Sequence, residues 1–159
     1  MREHEPFLRR LESAWTRLLR PAATLVAMHA KLTEIGAIED VDRLLAASGE
    51  RPLFLFKYSA TCGTSAQALD ELLAHLNERP ADVTYAIVTV QTHRDVSNAI
   101  ARTLGVRHET PQALLIRDGH VVWTASHYRV TADAIESALK DVLNSAAEGA
   151  ATPPQPTLS

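Results

Sequence analysis

The sequence predicts a three-layer α/β domain with helices on both faces of a mixed sheet, and three observations carry that reading. From about Lys31 to Leu143, short apolar runs alternate with segments of helical period. Leu53-Phe54-Leu55-Phe56-Lys57-Tyr58 has a strand's length and is apolar on both faces, as a central strand of such a domain is. Asp118-Gly119 stands between two further apolar runs, which is the strongest short hairpin signal a sequence carries.

Taken in chain order, Phe7, Leu8, Leu11, Trp15, Leu18 and Leu19 recur at helical spacing and predict an amphipathic helix, interrupted or restarted near Pro21. Its polar face carries acids as well as bases, so it is expected to pack on the domain or on a second copy of the chain, not on a membrane. A short strand near Leu32 to Ile35 leads to a helix near Ile38 to Ala47 and then to the central strand at 53–58. A helix from about Cys62 to Asn77, a strand from Val83 to Val90 and a helix from Val96 to Leu104 follow. Gly105 closes that helix, suited to a left-handed cap.

The pattern then shifts to two strands, 112–117 and 120–124, around Asp118-Gly119, and a last helix begins after Thr131 and runs to about Leu143. The remainder, 145–159, is Ala-rich and then Pro-rich, without the apolar periodicity that would offset the entropy of ordering, and is expected to be disordered. The expected organisation is an N-terminal helical extension over 1–30, an α/β domain over 31–144 and a disordered tail over 145–159. The string βαβαβα followed by ββα is that of the thioredoxin fold, in which the hairpin supplies antiparallel strands at one edge of a mixed sheet.

Composition narrows the function. The 159 residues are enough for one domain to bury a core without metal or disulfide staples. A net charge of -3 and a scatter of Lys and Arg give no basic field for nucleic acid or an anionic membrane, so neither is an expected partner. The single cysteine cannot close an internal disulfide. The first twenty or so positions mix charges with leucines and show no unbroken apolar stretch, which predicts a cytoplasmic protein.

In this fold the turn after the second strand holds the redox cysteine, and Ser59-Ala60-Thr61-Cys62-Gly63-Thr64-Ser65 occupies it. The unpaired N–H groups and positive end of the following helix would favour a thiolate, the form that attacks a disulfide sulfur. Thr61, Gly63 and Thr64 flank the sulfur and are candidates for contact with its substrate. Ser65 stands where a Cys-x-x-Cys enzyme keeps its resolving thiol; it can donate a hydrogen bond but cannot resolve a mixed disulfide. Thr110-Pro111 precedes the strand expected to run antiparallel to the cysteine's strand. In thioredoxin folds this proline is cis, leaving Thr110 N–H and C=O free to pair with an incoming chain or a small peptide-like thiol.

Several stretches resemble the monothiol bacilliredoxins, the YtxJ-like thioredoxin-fold proteins of bacteria that use bacillithiol. They are Phe56-Lys57-Tyr58-Ser59-Ala60-Thr61-Cys62, His93-Arg94-Asp95-Val96-Ser97-Asn98, Gly105-Val106-Arg107-His108-Glu109-Thr110-Pro111-Gln112 and Trp123-Thr124-Ala125-Ser126-His127, within roughly Lys31 to Leu143. The resemblance implies removal of bacillithiol from thiolated client proteins, with Cys62 attacking, a mixed disulfide as intermediate, and bacillithiol or a similar small thiol as co-substrate without a bound cofactor. The family usually shows Thr-Cys-Pro-Ile-Ser, where this chain has Gly63 and Thr64 in place of Pro and Ile.

His93, His108 and His127 fall in the matched stretches and could gather at the cysteine, as imidazolium to stabilise the thiolate or as imidazole to accept its proton. Their spacing forms no metal motif. Arg94 and Arg107 are candidate anchors for the carboxylates of a small thiol. A competing reading is an iron–sulfur carrier, because Cys62-Gly63-Thr64-Ser65 also resembles the Cys-Gly-Phe-Ser of monothiol glutaredoxins; with one cysteine per chain it would need a dimer and two external thiols. A third is a redox-silent interaction module. A homodimer through the N-terminal helix is compatible with each.

Overall fold

The computed structural model describes residues 29–150, and the predicted N-terminal helix, with any dimer it would form, lies outside them. The elements are β1 (Leu32–Glu34), α1 (Ile38–Ala47), β2 (Leu53–Tyr58), α2 (Gly63–Glu78), β3 (Thr84–Thr89), α3 (Arg94–Leu104), β4 (Gln112–Arg117), β5 (His120–Ser126), a 3-10 turn (His127–Arg129) and α4 (Ala132–Ala150). They form one five-stranded sheet in the order β1-β3-β2-β4-β5.

β2 is the centre because its side chains are apolar on both faces. It pairs parallel with β3, Phe54 opposite Tyr85, and antiparallel with β4, Phe54 opposite Leu115. Phe54 and Phe56 point to the layer formed with Leu72 and Leu76 of α2 and Ile135 and Leu139 of α4. Leu53 and Leu55 point to the opposite layer, with Val41 of α1 and Val96 and Ile100 of α3. Period-two alternation thus divides one strand between two cores.

Turn chemistry closes the elements as the sequence predicts. Gly105 caps α3 at φ 63°, and Val106 N–H returns to Ala101 C=O at 3.1 Å. Asp118 and Gly119 both take positive φ, 51° and 74°, the backbone a two-residue hairpin of β4 and β5 requires. A contact no local pattern announces ties that hairpin to α1: buried Ser48 accepts Gly119 N–H on its Oγ at 2.8 Å and Asp118 N–H on its C=O at 3.3 Å.

One expectation is corrected. The last helix does not stop near Leu143; α4 continues to Ala150, and the rest of the expected tail, 151–159, lies outside the described residues. Ser145-Ala146-Ala147-Glu148-Gly149-Ala150 lacks an apolar stripe, but extending a helix already nucleated on the core needs only favourable propensity, which the alanines supply.

Candidate functional site

Cys62 is the N-cap of α2, in extended conformation at φ -114° and ψ 120°, with its C=O accepting Ala66 N–H at 3.1 Å. It is partly exposed. No capping hydrogen bond from its side chain closes in the resting thiol. The thiolate is nevertheless favoured, first by the Ser65 backbone N–H and then, against some desolvation, by Thr64 N–H and both hydroxyls, so the thiol titrates below its ordinary value. Ser65 is fully buried and also accepts Ser59 N–H on its Oγ at 3.3 Å, linking the turn to the first helical turn.

Gln91, in the loop after β3, grips the same turn from the side. Its Oε1 accepts Ala60 N–H at 3.1 Å, and its Nε2 donates to Thr61 Oγ1 at 3.1 Å and to Ser59 Oγ. Sequence reasoning missed this residue: a single Gln in a loop has neither period nor motif. Gly63 opens α2, and a Cβ built there meets nothing within 4 Å.

Thr110-Pro111 is cis, and the Lys57–Gln112 pairing of β2 with β4 brings it to the end of β2 from which the cysteine turn leaves. Among the described residues, no turn or loop hydrogen bond takes up the Thr110 N–H or C=O. Pro111 C=O instead accepts His127 N–H at 3.1 Å, which fastens the 3-10 turn behind it. His127 itself is exposed, at φ 54°.

Among the described residues none of the three histidines is bonded to the sulfur, and none contributes to the lowering of the Cys62 thiol. His93 caps α3, its Nδ1 2.9 Å from Thr92 Oγ1. His108 is exposed as a residue but turns Nδ1 to Lys57 Nζ at 3.1 Å; partial desolvation, then the charges of Lys57 and Arg94, push it below the usual imidazole range. Arg94 thus bears on His108, and Arg107 on the carboxylate of Glu109, which is lowered chiefly by a hydrogen bond to Ser126. Among the described residues no cluster of three or more His, Cys, Asp or Glu is placed to hold a metal ion, and no helix is long and apolar enough to cross a membrane.

A family model described as monothiol bacilliredoxin BrxC matches residues 33–135, a span that holds Cys62, Ser65 and the Thr110-Pro111 bond. The chain belongs to the monothiol bacilliredoxin family. A solved thioredoxin-fold protein described as a candidate oxidoreductase is 30% identical, covering 68% of this chain and 93% of its own, with a TM-score of 0.61. Mitochondrial thioredoxin 3 of Saccharomyces cerevisiae, in its oxidised form, is 18% identical over 71% of this chain and 97% of its own, TM-score 0.56. A poplar thioredoxin h is 15% identical over 72% and 98%, TM-score 0.58. These last two establish the thioredoxin fold. The family and the fold support a thiol oxidoreductase, and this chain sets its single cysteine at the N-terminus of α2 with Ser65 three residues on.

Proposed function

We propose that this bacilliredoxin removes a low-molecular-weight thiol, bacillithiol by the family resemblance, from mixed disulfides on client proteins. The observation that carries the reading is Cys62 itself: a partly exposed sulfur whose thiolate the Ser65 and Thr64 N–H groups favour, beside a hydroxyl that cannot complete an internal disulfide. In the first step the Cys62 thiolate attacks the small thiol's sulfur in the client disulfide. The old S–S bond breaks, and the client leaves as a thiolate that takes a proton from water. Cys62 now carries the small thiol, and a second small-thiol anion attacks that adduct, leaving as the symmetric disulfide and restoring Cys62.

Thr110 supports the reading, since its backbone N–H and C=O are available for an extended client segment at the end of β2 from which the cysteine turn leaves. Intact mass after incubation with a bacillithiolated peptide tests it: the expected products are free peptide and chain carrying one bacillithiol on Cys62. Peptide that keeps its adduct, with Cys62 unmodified, would overturn it. Anaerobic purification with an ultraviolet–visible spectrum separates this from the iron–sulfur carrier, which would absorb in the visible.

A further inference from the structure

Lys57 is fully buried, with 0% exposure, in the central strand, and among the described residues it has no carboxylate within ion-pair distance. An ammonium in such a place is costly unless hydrogen bonds or an opposite charge compensate it. It does not act on the sulfur: it alternates with Leu53 and Leu55 and so faces the α1–α3 layer, whereas α2 packs on the other face, and it contributes nothing to the lowering of Cys62. Its two hydrogen-bond partners are His108 Nδ1 and Gln112 Oε1, both at 3.1 Å.

Those partners bracket the Thr110-Pro111 segment. Gln112 passes the connection on, donating Nε2 to Arg107 C=O at 3.1 Å. His108 Nε2 lies 3.5 Å from Thr110 Oγ1, and Ser97 Oγ of α3 lies 3.4 Å from its Nδ1. Both hydrogen bonds of the buried ammonium therefore end on residues 107–112, the stretch that carries Thr110.

We propose that Lys57 and His108 are positioning residues for ligand capture, the ammonium anchoring through His108 and Gln112 the loop whose Thr110 backbone receives the client, and that protonation of His108 releases this anchor. The proposal rests on the reading of Thr110 given above. A donating ammonium requires His108 Nδ1 to accept, so the ring is neutral with its proton on Nε2, toward Thr110. A proton on Nδ1 would set an N–H against the ammonium.

The charged groups facing this pair are Arg94 from α3, which opposes protonation of His108, and Glu109 from the loop, which favours the charge on Lys57. With burial, Arg94 and Lys57 hold His108 below its ordinary range, so the anchor is intact at neutral pH and is lost as pH falls through that lowered value. Lys57, brought down by burial to about 8, loses its charge on the alkaline side, and its two hydrogen bonds weaken there.

The test compares two substrates, a peptide carrying bacillithiol in mixed disulfide and hydroxyethyl disulfide, which has no backbone to pair. The ratio of their rates cancels the thiolate fraction of Cys62. In Lys57→Met the ratio is expected to fall several-fold through a higher KM for the peptide, while the alkylation midpoint of Cys62 stays put. In the wild type the ratio drops as pH falls below the ordinary imidazole range; in His108→Asn, whose Oδ1 accepts from Lys57 without titrating, it stays flat. An unchanged ratio in Lys57→Met, or an acid drop that survives in His108→Asn, overturns the inference. Should the wild type turn over neither substrate, the functional reading fails, and amide resonances still decide this one. The Thr110 amide shift is expected to follow the His108 titration in the wild type and not in His108→Asn, and a Thr110 amide indifferent to pH overturns the anchor.

Discussion

His75 Nε2 and the Tyr85 hydroxyl lie 2.8 Å apart inside the domain and join the last turns of α2 to β3. Tyr85 also accepts Ala81 N–H at 2.9 Å, and a neutral His75 with Nε2 unprotonated completes the set by accepting the Tyr85 proton. Burial, helped by Arg79 and opposed by Glu136, holds His75 below its usual range. The unfolded ring takes its proton near pH 6.5, above the folded one, so the unfolded chain binds more protons between the two values. This contribution to stability is full above about pH 6.5 and is lost as pH falls through the folded value. Urea unfolding at about pH 7.5 and 5.5 should show the loss, and His75→Gln should shrink the difference. Tyr85→Phe, which orphans a buried ring nitrogen, should cost about 1–3 kcal/mol at neutral pH.

Gln91 should matter locally more than globally. Its bonds to Ser59, Ala60 and Thr61 lie at the surface, where water replaces them, so Gln91→Ala is expected to cost only about 0.5–1.5 kcal/mol. The Ala60 amide loses its acceptor and should exchange its hydrogen roughly tenfold faster, which is the same order of free energy. An unchanged Ala60 rate would mean that the turn keeps its shape without Gln91.

Why some of this is legible in the sequence and some is not follows from the range of each interaction. Asp118-Gly119 and Gly105 announce themselves because positive φ selects the residue locally. Leu53 to Tyr58 reads as central because burial on both faces is written into consecutive residues. The cysteine turn is legible by its place between a strand and a helix. Lys57 is not: at the end of an apolar run, a lysine looks like the point where a strand meets water, and only His108 and Gln112, 51 and 55 residues away, make burial tolerable. Gln91 and Ser48 likewise act across the chain, and the helix past Leu143 depends on a nucleus that the local sequence does not contain.

Gly63 is open to improvement. It is the first residue of α2, a Cβ meets nothing within 4 Å, and Cys62 before it is extended, the conformation a following proline demands. Gly63→Pro should therefore fold without strain and gain about 0.4–1 kcal/mol by restricting the unfolded chain. Thermal unfolding checks this, and a lower Tm would show that the Gly63 N–H or its flexibility is needed at the turn.

The Cys62 titration should report the helix terminus. Alkylation rate against pH is expected to give a midpoint below that of an ordinary thiol, since the Ser65 and Thr64 N–H groups favour the charge. Ser65→Ala keeps the leading contribution, the backbone N–H, and removes only the hydroxyl, so the midpoint should rise slightly without reaching the ordinary value. A midpoint in the wild type at the ordinary value would mean that the terminus does not activate the sulfur.

Ser65 is also expected to set where the proposed reaction stops. It stands one helical turn from Cys62, its buried side chain acting on the sulfur, so a thiol there would face the Cys62 adduct at a high effective concentration. Ser65→Cys should convert the chain from one thiol to two: after treatment with an oxidised small thiol, the wild type retains one adduct, while the variant expels it and closes a 62–65 disulfide. The removed hydroxyl accepts Ser59 N–H, which a sulfur accepts only weakly, so the reduced variant should be less stable by about 1 kcal/mol. Intact mass distinguishes the outcomes. A persistent adduct on Ser65→Cys, in a variant that still folds, would show that position 65 does not present its side chain to the sulfur, and that serine is not what keeps this site monothiol.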